Sequence, residues 1–107
     1  MTIWSVGSIN DEPEIELTDW QIMETNVGSR HFVGYNHKNR EGRVSSDIVT
    51  FDNKNLIGKT VSGRVYQLIG YPAYNKDALY VWDNFKVING IKTEENVTVE
   101  VMKEIKL

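Results

Sequence analysis

The chain contains no cysteine. That excludes a disulfide framework, Cys-ligated zinc or iron–sulfur centres, and thiol chemistry. Proline is scarce, with only Pro13 and Pro72, and both stand in turn-like sequence. Histidine is equally scarce, with only His31 and His37. No apolar run approaches the roughly 18 residues that span a bilayer, so no membrane association is expected. The opening Met1-Thr2-Ile3-Trp4-Ser5 lacks the basic and apolar regions of a secretory signal, which points to a cytoplasmic protein. Repeats, low-complexity segments and linkers are missing as well, so residues 1–107 read as a single globular domain.

What remains is ordinary in bulk: 107 residues, 40% hydrophobic, 25% charged and a net charge of −3. A chain of this length buries about two-thirds of its unfolded surface. The charge is unevenly spread. Residues 1–24 carry Asp11, Glu12, Glu14, Glu16, Asp19 and Glu24 with no Lys or Arg. Residues 25–64 carry seven basic residues against three acidic ones, and residues 65–107 five against six. Either the acidic and basic stretches attract each other within the fold, or one of them faces a charged partner.

Short apolar stretches separated by turn residues predict strands. Ile3–Val6 is a short opening strand. Glu14–Thr25 alternates until Leu17, and then its apolar phase switches towards Trp20 and Ile22. That switch predicts a bulge near Thr18-Asp19, with a helix starting at Thr18 as the alternative. Arg30–Asn36, Arg43–Phe51 and Thr60–Ile69 are rich in β-formers and read as a meander. Gly63 inside the last of these predicts a bend. The period then changes. Ala78, Trp82, Phe85 and Ile88 recur at helical spacing, with Asn75 as the N-cap and Asn89-Gly90 as a left-handed stop. Val97, Val99, Val101 and Ile105 alternate and predict a final strand able to pair with a copy of itself, so monomer and homodimer both remain open. The expected fold is mainly β, a β-rich α+β chain. It forms a small antiparallel curled sheet or open barrel of five to six strands, with one helix near residues 76–89.

Motifs for chemistry are thin. Gly58-Lys59-Thr60 ends like a phosphate-binding loop, but Asn53 stands where its first glycine belongs and a strand follows instead of a helix. Asp52-Asn53-Lys54-Asn55 begins like a calcium loop but has Lys54 at a ligand position and lacks the closing Glu. Glu14/Glu16 and Glu94/Glu95 are carboxylate pairs without a cleft, and Asn96-Val97-Thr98 is a chance sequon. No cofactor or metal is expected. His31 and His37 share a strand face about 20 Å apart if extended and read as partly exposed surface residues. A general base paired with Ser45, Ser46 or Ser62 is the catalytic alternative, without a nucleophile-elbow motif.

The leading expectation is a small non-enzymatic module that binds a basic protein surface, in the manner of an inhibitor or immunity-type antagonist. Asp11, Glu12, Glu14, Glu16 and Asp19 would supply the acidic contacts, and Trp20 an aromatic one. The second expectation is a nucleic-acid or nucleotide-like ligand held by Arg43, Arg64 and Tyr66, in which bases stack on aromatics near cationic groups. A pI near 5.3 weighs against it. A small hydrolase using a histidine is the third.

Overall fold

The computed structural model describes residues 13–103. The predicted strand at Ile3–Val6 and the acidic residues Asp11 and Glu12 lie outside the described residues.

The longest strand, β1 (Glu14–Thr25), organises the rest. Its register breaks between Thr18 and Gln21, and Asp19 takes a positive φ of 47°. This is the bulge that the switch of apolar phase predicts, placed on a residue type that tolerates left-handed backbone. The bulge lets one strand serve two half-sheets. Beyond it, β1 pairs antiparallel with β2 (Arg30–Asn36), which pairs with β3 (Glu41–Val44). Before it, β1 pairs in parallel with β6 (Val65–Leu68). From there the sheet continues antiparallel through β5 (Ile57–Thr60) to β4 (Ile48–Asp52). A short β7 (Glu94–Asn96) joins the far end of β1.

The result is a seven-stranded mixed sheet that curls but does not close, with β3 and β4 at the two ends of the path. The fold is mainly β, as expected. Three details differ. First, the pairing is not wholly antiparallel, because β1 crosses from one half-sheet to the other and meets β6 running the same way.

Second, two predicted strands are each split. Thr60–Ile69 folds back at residues 61–64, where Thr60 O accepts from Gly63 N at 2.8 Å and Gly63 supplies a φ of 89°. The mid-strand glycine is therefore a hairpin turn. Arg43–Phe51 leaves the sheet at Ser45-Ser46-Asp47. There Ser45 is held by its own N–H on Phe32 O and by its Oγ, which accepts from Phe32 N.

Third, residues 97–103 of the predicted final strand do not form one, and Ile105 lies outside the described residues. α2 (Thr98–Lys103) occupies most of that stretch. Val97 and Val101 are both buried at i,i+4 spacing, and Val101 N donates to Val97 O at 2.9 Å. Val99, which alternation would also bury, is exposed. Asn96 Oδ1 accepts from Thr98 N and starts the turn. The strand edge that suggested self-pairing is therefore not formed over residues 97–103.

α1 (Lys76–Ile88) follows the sequence expectation closely. Asn75 Oδ1 accepts from Ala78 N at 3.0 Å, and Gly90 has a φ of 64° just past the helix end. Ala78 and Trp82 bury themselves against Met23 and Val33 on one face of the sheet. The helix sits so close to β3 that a Cβ at Gly42 would run into the backbone of Asp77 and Ala78. On the other face, Ile15, Leu17, Trp20, Ile22, Phe32, Tyr66 and Leu68 fill the curl, and Val97 and Val101 close it. Among the described residues, no helix is long and apolar enough to cross a membrane.

Candidate functional site

The acidic residues of β1 divide by the pleat. Glu14 and Glu16 are exposed, while Ile15 and Leu17, which alternate with them, are buried. Asp19 stands half-buried in the bulge. Trp20 does not join this surface. It is 0% exposed, a core residue whose Nε1–H donates to Gly70 O at 3.2 Å. A partner-contact role for Trp20 is thereby corrected: the bulge re-phases β1 and turns the indole inwards.

That indole hydrogen bond has a consequence for the segment it holds. Residues 69–73 run beside β1 because Ile69 N donates to Leu17 O at 2.8 Å and Ala73 N to Trp20 O at 3.2 Å. Gln21 Nε2 adds a bond to Ala73 O at 3.0 Å. On this tethered backbone Tyr71 is 91% exposed and Tyr74 is 69% exposed. Tyr80, on the outer face of α1, is exposed too. Sequence reading missed these tyrosines, because Gly70-Tyr71-Pro72 reads only as a strand stop. The available signal was two tyrosines within a four-residue turn segment that no apolar period claims.

The basic and aromatic set behaves differently. Arg43 and Tyr66 are brought together: Arg43 Nε donates to the Tyr66 hydroxyl at 3.0 Å and Nη1 lies 3.5 Å from Glu41 Oε2. Tyr66 is only 2% exposed, its ring against Phe32. Arg64 stands half-exposed in the β5–β6 turn, its N–H on Ser62 Oγ. A base cannot stack on a ring enclosed in the core, so Tyr66 is no stacking platform. The pair instead secures the rim of the curl. A buried tyrosine hydroxyl needs a partner, and Arg43 supplies it.

Of the two histidines, one differs from the surface position expected. His37 is exposed, its ring edge-on to Tyr35. His31 is 2% exposed, with Phe85 edge-on at 5.0 Å and Trp82 tilted at 5.9 Å. Its Nδ1 is 2.8 Å from Ser45 O. A carbonyl only accepts, so Nδ1 carries the hydrogen and Nε2 of the neutral ring is the acceptor. Ser29 Oγ stands 3.0 Å from that Nε2 and donates to it when the ring is neutral. Thr25 Oγ1 lies 2.7 Å from Ser29 Oγ, and Asp47 Oδ1 is 3.6 Å from His31 Nε2. Ser45, Ser46 and Ser62 are not the hydroxyls on the ring. Ser45 is fully buried and its Oγ donates to Ser46 O. Ser46 Oγ accepts from Ser62 N, and Ser62 Oγ meets Thr60 Oγ1. The serine on the ring is two residues upstream of the histidine, at the spacing that shares a strand face.

Close by, Lys86 Nζ bonds Glu94 at 2.7 Å and lies 3.2 Å from Asp83, while Trp82 Nε1 donates to Glu94 Oε1. The Glu94 hydrogen bond, with help from Asp83, holds the Lys86 amine above its ordinary range. Glu94 is thus a structural anchor between α1 and β7. Among the described residues, no group of three His, Asp or Glu side chains stands close enough to hold a metal ion. Comparison of the chain with protein-family models, curated proteins and solved structures finds no match.

Proposed function

We propose that this chain is a protein-binding module whose contact surface is the acidic face of β1 together with the tyrosines of the adjoining segment. The observation that carries the reading is Tyr71, 91% exposed on a backbone tethered to β1. Exposing a large aromatic ring to water gives the free chain nothing, and tyrosine is among the side chains that dominate interface energetics. Holding its backbone in place beforehand lowers the entropy lost on binding. Glu14 and Glu16, exposed further along β1, favour a partner with a basic surface, and opposite charge at such a rim speeds encounter. An inhibitor or immunity-type antagonist in the cytoplasm, acting as a monomer or homodimer and without a cofactor, fits this description.

The test uses the full chain as bait in lysate of its native host. Wild type is compared with Glu14→Lys/Glu16→Lys and with Tyr71→Ala/Tyr74→Ala, and each variant is first checked for folding by circular dichroism. The reading expects the same protein or proteins to disappear from both variant captures at physiological salt. Identical captures from all three baits would sink it.

A further inference from the structure

We propose that Ser29 is the nucleophile of an acyl-transfer site in which His31 is the general base, acting on esters with a short apolar acyl group. The proposal is independent of the protein-binding reading and concerns the opposite end of α1. It stands on the direction of a hydrogen-bond chain. Ser45 O accepts from His31 Nδ1, which leaves Nε2 as the acceptor for the Ser29 hydroxyl at 3.0 Å. This is the nucleophile–base–orienter arrangement of a serine hydrolase, with a main-chain carbonyl as the orienter. The ring cannot easily turn away, because Phe85 and Trp82 pack against it. The Asp47 carboxylate lies on the Nε2 side, 3.6 Å away, where it offsets the charge the ring gains on taking a proton.

The site is reachable. His31 itself is enclosed, as a base may be, but Ser29 is half-exposed and opens with Asp47 into a surface groove. Val27, Val49, Phe85 and Ile91 line the same groove. These apolar walls suit a short hydrocarbon chain, while Arg30, Lys54 and Lys59 also line the groove. In the reaction, Ser29 Oγ bonds to the ester carbonyl carbon and its proton passes to His31 Nε2. The ester C–O bond then breaks, and the alcohol leaves with that proton. Water adds to the acyl carbon and gives a proton to the same nitrogen. The acid departs as Ser29 regains its hydrogen, so atoms and charge balance without a further reactant.

The probe is an alkyl fluorophosphonate, which phosphonylates serines only where a base activates them, read by intact mass on the folded full chain. One adduct is expected, mapping to Ser29 and absent from Ser29→Ala and His31→Asn. Since His31→Asn removes a packed ring and can unfold the chain, a second arm leaves the histidine in place. The native chain has no cysteine, so Ser29→Cys and Ser62→Cys each create a sole thiol. At pH 7 Ser29→Cys is expected to alkylate with iodoacetamide about tenfold faster than the exposed Ser62→Cys, because an adjacent imidazole raises the thiolate fraction. The proposal is overturned by absence of an adduct on the wild-type chain or by an adduct that survives Ser29→Ala. Ser29→Cys reacting no faster than Ser62→Cys also overturns it.

Discussion

The two ends of α1 are built on opposite principles. At its start, tyrosines are displayed to water while main-chain bonds hold the segment that carries them. At its far end, a histidine is enclosed by aromatic rings and its nitrogens are engaged by Ser45 and Ser29. A helix of this length separates them by roughly 20 Å. The difference teaches what each end can do. Side chains held in water by a fixed backbone suit recognition, where their burial is deferred until a partner arrives. Side chains locked in a directional hydrogen-bond chain suit proton movement, which needs geometry set in advance. The residue that most nearly joins the two ends is Trp82, and the residue that starts the helix between them is Asn75.

The comparison can be broken most forcefully at Trp82. Trp82→Ala removes a ring that is 1% exposed, packs on His31 and Phe85, and bonds Glu94. It should cost about 3–5 kcal/mol in urea unfolding. The native fraction should keep its partner binding while fluorophosphonate labelling falls. A smaller effect sharpens the other end. Tyr71→Ala should leave stability within about 0.5 kcal/mol but weaken partner binding by about 2 kcal/mol, roughly 30-fold, measured by calorimetry once a partner is in hand. If it instead destabilises the fold, Tyr71 is a packing residue and the contrast fails. Asn75→Ala should cost about 1 kcal/mol by removing the cap on Ala78 N, with faster amide exchange confined to the first turn of α1. The smallest effect is alkaline. The Lys86 pKa is raised in the folded chain by its Glu94 bond. Its contribution is therefore full below the unfolded lysine pKa of about 10.4 and fades as pH climbs through the folded value. Wild type should lose slightly more stability than Lys86→Met between pH 9 and pH 11.

Much of the architecture was legible in the residues themselves. The bulge was visible because Leu17 and Trp20 cannot face one side of a regular strand, and both are core residues. α1 was visible with its caps because its apolar period runs over a dozen residues and Asn75 and Gly90 bracket it. What stayed hidden was set by contacts distant in sequence. Val97, Val99 and Val101 fit alternation as well as an i,i+4 pair, and only the core that Val97 and Val101 cap selects the helix. The parallel β1–β6 pairing depends on where the bulge sends the strand, which no local pattern states. Arg43, Tyr66 and Trp20 looked like surface chemistry because their types are common at binding sites, yet the curl encloses two of them and ties Arg43 to one of those two. Ser29 and His31 stood at strand spacing throughout. Without knowing that α1 would roof the histidine, nothing marked that serine above Ser45, Ser46 or Ser62.

The bulge at Asp19 also has a genetic meaning. With Asp19 deleted, Ile15, Leu17, Trp20 and Ile22 would fall into one unbroken alternation, and β1 would read as an ordinary straight strand. The shape of this molecule thus hangs on a single residue in an otherwise regular hydrophobic alternation. A one-codon deletion there would leave every inward residue facing inwards. It would take away the bend that carries β1 from one half-sheet to the other.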